Sequence, residues 1–226
     1  MTSPRIVAAA LAGVPAAVQA QGVWAGRRQL FVRFAGEAET ATMYTSAALL
    51  KEIERQLTRS KFHSIAIGGR DPLGNLDFLT AAFGDTQPAL PLMLDSDGQR
   101  PETLAVLAPH LAMVQVTVDF VGPDGTRASA IETVAAAAGA GRAHALVLSP
   151  RDDTLDGQML RLIEQAHAIS AATEVLIHPF LTGEPPMLDR RWSMLLEHAM
   201  ALHGDTRLAL RLPAPAGLGL EVRTGL

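Results

Sequence analysis

Polar residues close most of the short apolar runs in this chain, and they are the residues with chemical potential. Arg33, Glu37, Gly68, Gly69, Asp95, Ser96, Asp97, Asp119, Ser149, His178 and Arg211 all fall at or just beyond the carboxyl end of a strand-like run. In α/β barrels and wound sheets, ligands and chemistry sit at that end. A shared mouth lined by these residues would take a small polar ligand; ordinary loop polarity gives the same pattern without one. Asp95, Asp119 and His178 carry donors suited to a divalent cation, but nothing in their spacing forces them together, and no metal site is assigned. Glu37 and Glu39 could supply a general base or simply form a solvated loop. Gly68 and Gly69 could let backbone approach a ligand; a tight turn alone explains them as well. The seven histidines have no HxH or HExxH spacing. His167, His198 and His203 fall in helical stretches as surface or boundary residues. Nucleophile-elbow, P-loop and dinucleotide fingerprints are absent, so no catalytic residue is assigned.

The elements that must position these side chains alternate along the chain. Apolar β-like runs occur at 30–34, 64–67, 91–94, 113–118, 145–148, 174–177 and 208–212. Between them, helical spacing predicts helices over 46–58 (Leu49, Leu50, Ile53 and Leu57 on one face, Thr45 or Ser46 as N-cap), 101–111, 155–170 and 188–202. This alternation predicts an α/β fold, a parallel sheet covered by helices. A curved partial barrel and a flat doubly wound sheet satisfy it equally. Residues 122–125 and 183–186 read as loops, and the Pro-rich segment from 213 as irregular. No repeat or linker interrupts the pattern, so residues 1–226 are expected to form a single domain.

Composition narrows the function classes. The chain has 226 residues, 48% hydrophobic, with a net charge of −4 and no cysteine. Without a basic excess, no nucleic-acid surface and no anionic-membrane surface is expected. No apolar stretch approaches the roughly 20 residues of a membrane span. Zero cysteine excludes disulfides and thiolate metal sites. Arg5 followed by the apolar run to Ala20 has the outline of a signal peptide, which would mean export. The same residues also read as a first strand and turn, which implies a cytoplasmic protein, and this is the expectation adopted.

The segment 22–36, Gly-Val-Trp-Ala-Gly-Arg-Arg-Gln-Leu-Phe-Val-Arg-Phe-Ala-Gly, resembles the "EGPWAGRPAVFVRFAGC-x-x-x-C-x-x-C-DT" opening of radical S-adenosylmethionine (SAM) enzymes of the 7-carboxy-7-deazaguanine synthase type. Residues 18–22 are similar to that family's "SIQGEG" turn, 63–79 to "HSVSITGGEPLLQ-x-DFL", 94–102 to "LETNGTLPE", and 107–120 to "LPHLDIVAMDIKL". The resemblance implies a partial (β/α) barrel with outer helices. It assigns vestigial SAM-site positions to Gly68, Gly69, Asp95, Ser96 and Asp97.

The departures fall on the chemical residues. The three cluster cysteines of the family are replaced by Glu37, Ala41 and Tyr44. Iron–sulfur clusters are held by thiolates, and carboxylate and phenolate are poorly matched hard donors. Arg70 stands where the family has the glutamate of its Gly-Gly-Glu-Pro motif, which holds the SAM amino group; a guanidinium there would repel an ammonium unless it turned outward. The resemblance therefore implies a catalytically degenerate member with no [4Fe–4S] cluster and weak or absent SAM binding. It would act as a non-catalytic partner or scaffold of a biosynthetic enzyme, with a protein partner or a homo-oligomer. Two alternatives remain open: a cluster-independent lyase or hydrolase, and a sensor of SAM or a purine-like ligand. With no metal to organise it, 36–44 is expected either to be disordered alone or to pack on a partner through Met43 and Tyr44; both could equally tuck into the protein's own core.

Overall fold

A computed structural model describes residues 7–84, 89–120, 125–180 and 188–211. Its elements run β1 (Ala8–Gly13), β2 (Ala16–Val18), β3 (Arg28–Phe34), β4 (Thr42–Thr45), α1 (Ser46–Leu57), β5 (Ser64–Gly69), α2 (Leu76–Phe83), β6 (Leu92–Ser96), α3 (Pro101–Leu107), β7 (Met113–Asp119), α4 (Gly125–Gly139), β8 (Ala143–Ser149), α5 (Asp156–Ile169), β9 (Glu174–Ile177), α6 (Arg190–Leu202) and β10 (Thr206–Leu208). All ten strands form one sheet in the order β10-β9-β8-β7-β6-β5-β3-β1-β4, with β2 also paired to β3. From β3 through β10 the neighbours are parallel. β1 and β2 run antiparallel to β3, and β4 antiparallel to β1. The two ends do not meet, so the sheet is open. This mixed, mostly parallel sheet with covering helices is consistent with a partial (β/α) barrel.

Side-chain alternation divides the sheet into two faces. Val32, Ile67, Leu94, Val116, Leu146 and Ile177 point to one face. There they pack with Leu49, Phe78, Leu104, Val134, Ile163 and Trp192 from the six helices into the larger core. Each such fully buried aliphatic side chain contributes about 1.5–3 kcal/mol. The opposite, inner face carries a smaller core of Ala66, Met93, Met113, Ala145, Val147 and Leu176, capped by Val23 and Trp24 from the loop between β2 and β3.

The strongly periodic helices appear close to where spacing put them, and the Thr45 side chain caps α1 by accepting from the Ala48 amide at 3.1 Å. Residues 8–18, which also have a signal-peptide outline, are built into the sheet, with Ala9 and Leu11 in the larger core. Four elements differ from expectation. β4 and α2 are additional. α4 occupies 125–139, where alanine on every side leaves no hydrophobic stripe to read. The last strand is Thr206–Leu208 rather than 208–212, because it pairs with Val175–Ile177 of β9. Of the loop expected at 122–125 only Gly125 is described, and it opens α4. The loop at 183–186 and the segment from 213 lie outside the described residues.

His203 is a further correction. It is 1% exposed rather than a boundary residue. Its Nε2–H donates to the Thr173 carbonyl at 2.6 Å, and its Nδ1 lies 3.1 Å from Nδ1 of His167.

Candidate functional site

On the inner face, alternate residues of the central strands change from apolar to polar toward their carboxyl ends. Met93 is followed by Asp95. Met113 is followed by Gln115, Thr117 and Asp119, and Ala145 and Val147 by Ser149. Leu176 is followed by His178. The parallel register sets these side by side: Asp95 opposite Gln115, and Asp119 opposite Ser149. The His178 amide donates to the Leu148 carbonyl at 2.8 Å, which continues the ladder and places His178 next to Ser149.

A hydrogen-bonded network fills the centre of this row. Asp95 Oδ1 accepts from Gln115 Nε2 at 3.2 Å and from Thr117 Oγ1 at 3.0 Å. Gln115 Oε1 accepts from the Val23 amide at 3.1 Å. The neighbouring Gly22 amide donates to His178 Nε2 at 3.1 Å, and His178 Nδ1 lies 2.5 Å from the Ala209 carbonyl. These partners assign His178 as neutral with the proton on Nδ1. Beside them, Arg211 donates to the Gln21 side-chain carbonyl, its Nε at 2.8 Å. The loop 19–27 therefore lies against the inner face, where its Gly22 and Val23 amides find their acceptors. Glycine is required at 22: φ is +79°, and a Cβ would fall 1.7 Å from Gln115 Oε1.

Burial sets the charge states. Desolvation pushes the Asp95 carboxyl up; the hydrogen bonds from Gln115 and Thr117 oppose it, Asp119 adds to it, and Arg211 opposes it. Desolvation pushes His178 down, partly offset by its bond to the Ala209 carbonyl.

Of the five residues that the resemblance places at a SAM site, Asp95 and Gly68 lie on the inner face. Gly68 needs to be small: a Cβ would meet the Asp95 carbonyl oxygen at 3.3 Å. Gly69 has φ +95°, and its Cβ would lie 2.3 Å from the Phe34 carbonyl oxygen, so it serves the tight turn beyond β5. Ser96 is buried and accepts from the Gly98 amide at 3.0 Å. Asp97 is exposed and holds the Gln99 amide and side chain at 3.1 and 2.6 Å. Only Asp95 of that trio reaches the inner face.

The cluster positions are dispersed. Arg70 turns outward and donates to exposed Glu37 at 2.6 Å. Arg33 pairs with Glu39, whose other oxygen accepts from the Gly36 amide at 2.9 Å. Ala41 is exposed and has no donor atom. Tyr44 sits on β4 opposite Ala9 and packs against the larger core, while Met43 on the other side is 66% exposed. Within the chain, segment 36–44 is held by two ion pairs and by pairing of β4 with β1; Tyr44 packs against the core, and Met43 stays exposed. This donor set does not fit a [4Fe–4S] cluster: there is no thiolate, and the three side chains are engaged elsewhere or lack a ligating atom. Among the described residues no group of three or more His, Cys, Asp or Glu is placed to hold a metal ion, which sets aside the Asp95–Asp119–His178 arrangement.

Asp119, Ser149 and His178 stand side by side with the residue types of a nucleophilic triad. Both His178 ring nitrogens are occupied by backbone groups, and Ser149 Oγ has no hydrogen-bond partner, so the serine–histidine bond that would activate a nucleophile is not made.

Sequence reasoning missed Gly22, Gln115 and Thr117. The signal was present: Gln115 and Thr117 alternate with Val114, Val116 and Val118 in a strand otherwise apolar on both faces.

No known family model matches this chain. Among the described residues no helix is long and apolar enough to cross a membrane. Over 145 residues the chain is 28% identical to a 7-carboxy-7-deazaguanine synthase of Methanothermobacter thermautotrophicus, a match that covers 57% of this chain and 57% of that enzyme. The chain is thus similar, over somewhat more than half the length of each, to an enzyme of the type that its residues 22–36 resemble, and it carries no cysteine.

Proposed function

We propose that this protein is a radical SAM-like chain that has lost its cluster chemistry and acts as a non-catalytic partner or scaffold for a biosynthetic enzyme. The observation that carries this reading is the fate of the cluster positions. Glu37 is tied to Arg70, Ala41 offers no donor, and Tyr44 belongs to the larger core. The partial similarity to a 7-carboxy-7-deazaguanine synthase supports the fold from which the loss occurred. Loss of the cluster removes two metal bonds to SAM, and Arg70 supplies no carboxylate for its ammonium. Each lost charge-assisted contact weakens binding by about 1.5–3 kcal/mol.

The test has two arms. Anaerobic reconstitution followed by iron and sulfide analysis is expected to give no stoichiometric cluster, and calorimetry no low-micromolar SAM binding. The chain is then mixed with a cysteine-bearing radical SAM synthase from the same genome, and a co-eluting complex that alters the synthase's turnover is expected. Four bound irons with SAM cleavage by the isolated chain would overturn the whole reading; absence of any complex would overturn the partner role.

The row Asp119–Ser149–His178 favours one second reading, a cluster-independent hydrolase or lyase. It requires His178 to release Gly22 and turn toward Ser149. Loss of a measurable hydrolytic activity in Ser149→Ala, with the fold intact, would put this reading first.

A further inference from the structure

A cavity lies at the opposite end of the sheet from the polar row, roughly 20 Å away along the length of β7. It opens across the amino ends of β6, β7 and β8 and has a volume of about 430 Å³, within the range of small-molecule pockets. Buried Leu92 and Leu111 and exposed Pro91 and Pro109 make its walls apolar. The two polar side chains that line it are His110 and Arg142, and no described carboxylate does. The backbone fixes Arg142 at this edge: its amide donates to the Ala137 carbonyl at 3.1 Å, and its carbonyl accepts from His144 Nδ1 at 2.7 Å. The guanidinium uses only Nε, which donates to the Ala140 carbonyl at 3.2 Å. Its Nη1 and Nη2 have no hydrogen bond or ion pair among the described residues. By contrast, Arg33, Arg70, Arg100, Arg191 and Arg207 each pair with a carboxylate. The His110 ring likewise makes no hydrogen bond or ion pair among the described residues.

We propose that this cavity binds a small monocarboxylate with a compact apolar body, an aromatic or branched acid whose carboxylate meets Arg142 and His110 while its body covers Leu92, Leu111 and the two prolines. A guanidinium with both Nη groups free presents a planar fork that matches the two oxygens of a carboxylate. The His110 imidazole adds an N–H donor in either of its charge states. A neutral apolar molecule would leave the fork without an acceptor. A bare phosphate would satisfy the fork and leave the apolar walls in water. The cavity is at the starts of the strands, so it shares no residue with the positions that the resemblance gives to SAM, which lie at their ends. The site does not depend on the partner role, because a chain without cluster chemistry can still carry a ligand.

The experiment titrates benzoate into the full chain and follows amide resonances by NMR, with benzyl alcohol as the neutral control and inorganic phosphate as the anion without an apolar body. Saturable shifts centred on the amides of residues 90, 92, 110–112 and 142 are expected for benzoate, and much weaker binding for both controls. Arg142→Gln is expected to weaken benzoate binding by at least about tenfold and His110→Ala by about threefold, the scale of charge-assisted and single hydrogen bonds. His110→Glu breaks no hydrogen bond among the described residues and sets a like charge in the cavity, so it is expected to abolish binding with the spectrum unchanged elsewhere. That variant keeps the test decisive if Arg142→Gln does not fold. No saturable shift in the native chain, equal binding by benzyl alcohol, tighter binding by phosphate at the same amides, or unchanged benzoate affinity in folded Arg142→Gln or His110→Glu would each overturn the proposal.

Discussion

Two loops flank β3, and they are held by opposite means. Loop 19–27 precedes the strand and lies against the inner face, where Gly22 and Val23 donate backbone hydrogen bonds to His178 and Gln115. Loop 35–41 follows the strand and stays at the surface, clipped by Arg33–Glu39 and Arg70–Glu37. The first loop keeps most of the motif that the resemblance picked out; the second has none of the three cysteines that the resemblance calls for. A segment that is part of the packing resists substitution, because its removal would orphan buried donors. A segment clipped only by exposed ion pairs is free to vary, because such pairs contribute little.

The sharpest way to break this contrast is Gly22→Ala. The new Cβ would sit on the Gln115 side chain, which Asp95 and Val23 hold in place, and the backbone is in the left-handed region. A loss of about 2–4 kcal/mol is expected from the shift in urea midpoint. A variant as stable as the native chain would show that loop 19–27 is not anchored.

Next comes His178. Replacement by alanine orphans the Gly22 amide and should cost about 1–3 kcal/mol. The native histidine should also shape the acid limb. Its folded pKa lies below the ordinary 6.5, so the folded protein binds fewer protons than the unfolded one in that window. Stability is therefore full above 6.5, falls as pH drops through it, and levels off below the folded value. Asp95 acts in the opposite sense. Its folded pKa lies above 3.8, and protonation there favours the folded state as pH falls through the raised value toward 3.8. Urea titrations across this range should show the first loss in the native chain and not in His178→Gln. Persistence of the loss in that variant would assign it to another group.

The smallest effect is expected at the other loop. Glu37→Ala breaks an ion pair whose side chains are 57% and 81% exposed, and should cost no more than about 1 kcal/mol, with a further reduction in high salt. A larger loss would mean that loop 35–41 is as integral to the fold as loop 19–27.

The same distinction decides what was legible in the sequence. β5, β7 and β8 are apolar runs buried on both faces along most of their length, which shows in composition alone, and α1, α5 and α6 carry a stripe at helical spacing. β4 is Thr-Met-Tyr-Thr, polar and short, and exists because Ala8–Leu11 lies alongside it. That is a long-range cause that local pattern does not carry. α4 was hidden by its alanines. At the site, strand ends correctly put Arg33, Asp95, Asp119, Ser149 and His178 on one face, because strand parity is regular. Sequence could not tell that Ser96 and Asp97 serve their own turn, that Arg70 swings out to Glu37, or that a loop more than 150 residues away in sequence would engage His178. Those depend on which donor reaches which acceptor in three dimensions.

The placement of Gly22 and Val23 has a kinetic consequence. Loop amides ordinarily exchange with solvent deuterium quickly, since water reaches them without unfolding. These two donate to acceptors on the inner face, so their protons can leave only when loop 19–27 lifts off Gln115 and His178. They should exchange as slowly as amides in the central strands, and in step with each other. In a segment with no secondary structure of its own, that pair would act as a clock for how often the inner face of the sheet opens to water.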